Sequence, residues 1–299
     1  MTEFFEVVAK AAVLVFVVTC MLTAGLGLSV RDVIAPFRRA RLVAFALIAN
    51  FLIAPAIAFA LASLFALDRS YAIGLLLLGA AAGAPFLPKL AGLANGDVAF
   101  SIGLMLLLTV GTAVFLPITL PILIPGESAD TWPILQSLLL TMLLPLGIGM
   151  AVRGCSERWS ARLRPWFAVA SNVSMVLAVV LLLGLNFDAV VGTFGSGAVA
   201  VAILFVLILT AIGYATGGPA TTTRSVLALG TGQRNVAAAL IVAGENPADP
   251  RVAVMLLVAT LAGLILLVPA ARWFAKRTNT TPVQLPVIPR EPSPEAARA

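Results

Sequence analysis

Long apolar stretches recur along this chain from Phe4 to Phe274, and they leave few folds open to it. Each is near the length of about 20 apolar residues that crosses a hydrocarbon core roughly 30 Å thick. Lipid offers the backbone no hydrogen-bond partners, so helices or a closed barrel must satisfy every N–H and C=O internally. The ten-residue alternation of barrel strands is not seen, which leaves helices. Composition agrees: 61% of residues are hydrophobic and 11% charged, where soluble domains carry about 25% charge. So little polar surface does not coat a water-facing globule.

Proline, glycine and charged residues punctuate the apolar stretches into nine expected spans, near 4–28, 41–66, 70–94, 98–124, 132–154, 165–187, 192–217, 222–246 and 251–275. Residues 1–278 form one transmembrane domain. The tail, 279–299, turns to Pro, Thr, Glu and Ala and is expected to be disordered. The first stretch carries Glu3 and Glu6 and no basic leader, so it reads as a transmembrane helix and not as a signal peptide.

The chain is basic, with net charge +6, but its cations sit in short loops, which argues for membrane orientation and against nucleic acid. Arg31, Arg38, Arg39 and Arg41, then Arg153, Arg158, Arg162 and Arg164, then Arg224, and finally Arg272, Lys276 and Arg277 fall on one side. Only Lys10, Arg69 and Arg251 fall on the other. Cytoplasmic loops hold the excess of Lys and Arg. The N-terminus is therefore expected outside and the C-terminus inside a cytoplasmic membrane. Cys20 and Cys155 have no metal or redox motif around them and lie in different settings, one in a span and one in a basic loop. There is no histidine, so the commonest general base and metal ligand is missing. No catalytic residue, metal site or cofactor is expected.

Two spans are interrupted. The third holds Gly79 to Gly83, Pro85, Pro88 and Lys89, where proline removes donors and glycine permits non-helical angles. The eighth holds Gly230-Thr231-Gly232-Gln233-Arg234-Asn235, a polar break in an apolar span. They occupy corresponding places in two halves and cross in opposite directions. Paired broken helices of this kind mark the midplane site of a secondary transporter. Lys89 and Arg234 are the only ionisable side chains deep in the spans, and no carboxylate accompanies them. A charge at the bilayer centre costs roughly 2.5–3.5 kcal/mol on insertion scales, so it needs a partner or a task. Helix C-terminal carbonyls, water and an anionic substrate are the candidates. Lys89, about two turns from Asn95-Gly96-Asp97, is also placed to snorkel; Arg234 is too deep for that. Asn50 in span 2 reads as interhelical glue or site lining. Ser101 and Thr109 can bond back to their own helix, and Pro55, Pro117 and Pro145 read as kinks.

At these residues the chain resembles the bile acid:sodium symporter superfamily, over nearly its whole length except the tail. Met21 to Leu28, with Asp32 to Arg41 after it, is similar to that family's Met-Gly-Leu-x-Leu segment and basic loop. Leu93 to Ser101 is similar to its Leu-Ala-Lys-Gly-Asp-Val-Ala-Leu-Ser segment, and Leu144-Pro145 and Gly213-Tyr214 also fit. The resemblance implies an all-α integral membrane fold of the inverted-repeat kind, with a panel (spans 1, 5 and 6) and a core (spans 2–4 and 7–9). Spans 3 and 8 would be its discontinuous crossing helices. This chain would start at the family's second helix, which leaves nine.

The departures are informative. Leu87-Pro88 stands where the family has Ser-Asn, and Gly230 and Arg234 stand where its Glu-x-Gly-x-Gln-Asn has the sodium-binding Glu and Gln. Met105 replaces a threonine ligand. Asn50 falls at a sodium-site Gln, while Ser101 and Asn235 are retained. The resemblance thus implies residual sodium-site positions at Asn50, Leu87, Pro88, Ser101 and Gly230. Substrate contacts are expected at Asn50, Lys89, Thr231, Gln233, Arg234 and Asn235. The function expected is transport of a small organic anion by alternating access, with weakened or absent sodium coupling. Lys89 and Arg234 would take over space and charge that sodium supplies elsewhere. The lipid bilayer is the other partner; the oligomeric state stays open, a monomer being compatible. A conventional sodium-coupled symporter and a non-transporting sensor or scaffold of the same fold are the alternatives. An arsenite permease would want a cysteine near the first break, a cation/proton antiporter a midplane Asp, and an intramembrane enzyme a nucleophile–base pair, none of which is present.

Overall fold

The computed structural model describes residues 2–29, 39–123, 131–185, 187–245 and 249–278. The tail expected at 279–299 lies outside them. All regular structure among the described residues is helical. The helices are α1 (Thr2–Gly27), α2 (Ala40–Leu64), α3 (Arg69–Ala80), α4 (Leu87–Leu93) and α5 (Val98–Leu123). Then come α6, in two pieces (Thr131–Leu138 and Leu144–Cys155), α7 (Glu157–Leu185) and α8 (Phe187–Gly195). The chain ends with α9 (Ala198–Thr216), α10 (Thr221–Gly232), α11 (Val236–Glu245) and α12 (Arg251–Arg277). By length and composition these helices are those of a multi-pass membrane protein.

Eight helices among the described residues are long and apolar enough to cross a membrane, α10 and α11 being counted as one. The expected span at 70–94 is the exception, because it is cut into α3 and the seven-residue α4, and neither piece is long enough alone. Other boundaries move for local reasons. The span expected from residue 165 starts at Glu157, since Pro165 is carried inside α7. The span expected at 192–217 is divided at Ser196-Gly197, where Gly197 takes a φ of 77°. Ser196 Oγ bridges that bend, donating to Thr193 O (3.1 Å) and accepting from Ala198 N (3.3 Å).

Pro55 and Pro145 do not bend their helices by breaking them. Each follows a π-helical turn, Ala49–Ile53 in α2 and Leu139–Leu143 in α6. Proline has no N–H and its ring crowds the carbonyl four residues back, so a widened turn there accommodates it. The first of these turns carries Asn50, which is 1% exposed.

The helices pack in two groups. α1 lies along α7 and α6, and Gly25 and Gly149 bring α1 and α6 into backbone contact. A Cβ at Gly149 would sit 2.7 Å from Leu22 O and Leu26 N, so a larger residue there forces the pair apart. Helices α2, α3, α4, α5, α9, α10, α11 and α12 pack on one another. Within that second group the four short helices meet crosswise, α11 against α3 and α10 against α4.

Candidate functional site

The crossing is built from two gaps in the backbone ladder, residues 81–86 between α3 and α4 and residues 233–235 between α10 and α11. Backbone groups freed at that depth need protein partners, and the side chains of Thr109, Thr112 and Asn235 supply several of them. Thr112 Oγ1 accepts from Ala82 N at 2.8 Å and donates to Ala82 O at 2.9 Å. Gly83 O accepts from Thr109 Oγ1 (2.7 Å) and from Asn235 Nδ2 (3.1 Å). Ala81 O accepts from the backbone N–H of Asn235 at 2.9 Å. Gly83 has a φ of 79°, and a Cβ there would run into the backbone of Thr109, so glycine is required on two counts.

The second gap is narrower than its sequence suggests. Gly230, Thr231 and Gly232 remain helical in α10, and the break is confined to Gln233, Arg234 and Asn235. The glycines serve close packing: a Cβ on Gly230 would meet Leu87 Cδ2 at 3.1 Å, and one on Gly232 would meet Thr210. Asn235 restarts the helix, its Oδ1 accepting from Ala238 N at 3.2 Å as an N-cap.

Arg234 reaches from the second gap into the end of the first. Its Nε donates to Leu78 O (2.8 Å) and its Nη2 to Gly79 O (2.7 Å), carbonyls of the last turn of α3. Its Nη1 donates to Asn50 Oδ1 (2.6 Å) and, at 3.5 Å, to Thr231 O. The C-terminal end of a helix carries negative partial charge and favours a cation. That end stands in for the carboxylate the spans lack. Arg234 is 7% exposed, and its guanidinium spends four of its five donors on protein acceptors. Asn50 completes the cage by donating to Ala46 O (2.9 Å) and Thr231 Oγ1 (3.4 Å).

Lys89 is different. It projects from α4 as an exposed residue, with its ammonium 5.5 Å from the centroid of the Phe86 ring. It lies within electrostatic reach of Cys20 on α1, which neighbours Ser171 of α7. Of the expected substrate contacts, Asn50, Thr231, Arg234 and Asn235 come together in one buried network, and Lys89 stands outside it. Gln233 lines a cavity of about 50 Å³ with Leu78, Phe205 and Thr260, and its Oε1 is buried without a partner. That volume is large enough to hold water beside the unpaired Oε1.

Ser101 turns back to its own helix, donating to Val98 O at 2.7 Å, and Thr109 does so to Met105 O as well as to Gly83. Leu87 is buried against Gly230, while Pro88 starts α4 and is half-buried. Thr112 was not singled out in the sequence. Its signal is its place three residues after Thr109, on the same helix face.

A sequence model of the Sodium Bile acid symporter family matches residues 13–193. The chain belongs to that family. No curated protein matches it. Members of this family are transporters, and the long apolar helices with a crossing of two broken ones fit a secondary transporter of that type.

The family's name implies a sodium ion, and the residues at the crossing do not fit one. Sodium needs several oxygen ligands and compensating negative charge. Asn50 Oδ1, Leu78 O and Gly79 O are already taken by the Arg234 guanidinium. The side of the crossing at Gly230 is filled by Leu87 and Leu104.

Proposed function

We propose that this chain carries a small organic anion across the cytoplasmic membrane by alternating access, without requiring sodium. The observation that supports it is the Arg234 cage, in which a fixed guanidinium meets the oxygens a mobile cation would otherwise need. Lys89 is the cation left to meet the substrate, because Arg234 has its donors engaged and Lys89 does not. In this reading Arg234, Asn50, Thr231 and Asn235 hold the crossing together and shape the site, and Gln233 lines the small cavity behind them. The nine-span reading counts α3 and α4 as one broken span. It places the N-terminus outside and the C-terminus in the cytoplasm, as the Lys and Arg distribution asks. The panel is then α1, α6 and α7, the core is the rest, and the anion passes between them beside Lys89, Cys20 and Ser171.

Uptake of a panel of small carboxylates and sulfonates into proteoliposomes, in sodium and in sodium-free potassium or choline buffers, tests this. Equal uptake in both is expected. Uptake that strictly requires sodium overturns the sodium-independent reading and returns the conventional symporter. Ligand-induced thermal stabilisation with no flux for any anion points instead to a sensor of the same fold.

A further inference from the structure

One face of α7 changes character along its length. Arg158, Trp159 and Arg162 stand at one end, Trp166 follows at 75% exposed, and Val169, Val173 and Val180 continue the exposed stripe at 59–61%. At 3.6 residues per turn these positions share a single side of the helix. From Trp166 to Leu185 there are 20 residues, which at 1.5 Å each span roughly 30 Å, the thickness of the hydrocarbon core. Trp166 therefore marks the interface, where tryptophan collects. The guanidiniums of Arg158 and Arg162 then lie roughly one to two turns farther out, at the depth of lipid phosphates. Arg162 lies over the Trp159 ring, 5.9 Å from its centroid.

The charge at this corner is only partly compensated. Arg158 and Arg162 make no ion pair among the described residues. Arg153, at the end of α6 beside them, has only a 3.5 Å contact with the exposed Glu157, and its buried Nε has no partner. On the opposite face, by contrast, Arg251 is held by Asp249 at 2.7 Å and lies 3.9 Å from Asp68. Cations unpaired by protein and fixed at phosphate depth call for an anion from the bilayer.

We infer that the α6–α7 corner binds the headgroup of an anionic phospholipid of the cytoplasmic leaflet. Arg158 and Arg162 hold the phosphate, Trp159 lies against the glycerol region, and the acyl chains run down the valine stripe. This site is separate from the Lys89 cleft and stands whether or not the transport reading does.

The test uses the full chain in nanodiscs, with Trp132→Phe and Trp273→Phe so that fluorescence reports only Trp159 and Trp166. Lipid brominated on the acyl chain near the headgroup is titrated into a phosphatidylcholine background, either as phosphatidylglycerol or as phosphatidylcholine. Quenching at much lower mole fraction by the anionic lipid is expected. Arg158→Gln with Arg162→Gln should shift that curve by roughly thirtyfold, about fivefold per cation at an anionic surface. Matched quenching by the two lipids overturns the proposal. So does an unchanged preference in the double variant, which places any anionic lipid elsewhere. Loss of the preference in millimolar inorganic phosphate would make the corner a free-phosphate site and overturn the lipid assignment.

Discussion

Arg234 and Lys89 each sit beside a break in a helix, and their surroundings could hardly differ more. Arg234 is closed in by the end of α3 and by Asn50, with each of its nitrogens bonded to a protein oxygen. Lys89 is exposed on α4, with its ammonium 5.5 Å from the centroid of the Phe86 ring. Two cations that look alike in the sequence thus divide into one locked inside the scaffold and one left exposed beside it. A buried cation satisfied by backbone carbonyls is part of the fold, since removing it strands those carbonyls. An exposed cation can be removed with little cost to the fold.

The sharpest way to break this division is Arg234→Ala. It leaves Leu78 O, Gly79 O and Asn50 Oδ1 without their donor, at about 1–3 kcal/mol for each unsatisfied group. A loss of roughly 3–6 kcal/mol is expected in denaturant unfolding in detergent, with loss of anion binding; an unchanged midpoint would mean that Arg234 is not structural. Asn50→Ala should cost less, about 1–3 kcal/mol, because the guanidinium keeps both α3 carbonyls. It should also impair anion binding less than Arg234→Ala does, and equal small effects on binding would point to a purely structural pair. Thr112→Val preserves shape and removes both bonds to Ala82, so about 1–2 kcal/mol is expected by the same measurement.

Acid should have a smaller effect, from the face opposite the α6–α7 corner. The Arg251 guanidinium, with Ser70 also donating, holds the Asp249 carboxyl down at about 2 from its ordinary 3.8. A depressed carboxylate contributes its stability in full above its unfolded value. That contribution should therefore be present above about pH 4 and be lost as pH falls toward 2, in wild type but not in Asp249→Asn. Screened by solvent, it should stay under about 1 kcal/mol. Lys89→Gln completes the contrast, with a melting temperature within error of wild type and uptake that falls at least tenfold if the ammonium meets the anion. Unaltered uptake would assign Lys89 to snorkelling.

The membrane class, the helical fold and both breaks were legible in the sequence because each depends on local chemistry: apolar length, proline, glycine and a polar run in an apolar span. The family was legible too, through Met21 to Leu28 and Leu93 to Ser101. Less legible was the extent of the second break. Gly230 and Gly232 look like helix breakers, yet they are needed for close approach to Leu87 and Thr210, and only the packing reveals that. Thr112 escaped notice because a threonine in an apolar span usually bonds to its own helix; here it meets Ala82, thirty residues away.

The sequence by itself determined that two cations would lie deep in the spans with no carboxylate to pair them. It left carbonyls, water and substrate as equal candidates for their partners, because hydrogen bonds across a fold join residues far apart in the chain. Arg234 and Leu78 are 156 positions apart. Tertiary structure decided that the end of α3 points its carbonyls at Arg234 and that α4 turns Lys89 outward. A helix end has direction only once its neighbours are packed, and that direction separates the cation that closes the crossing from the one left open beside it.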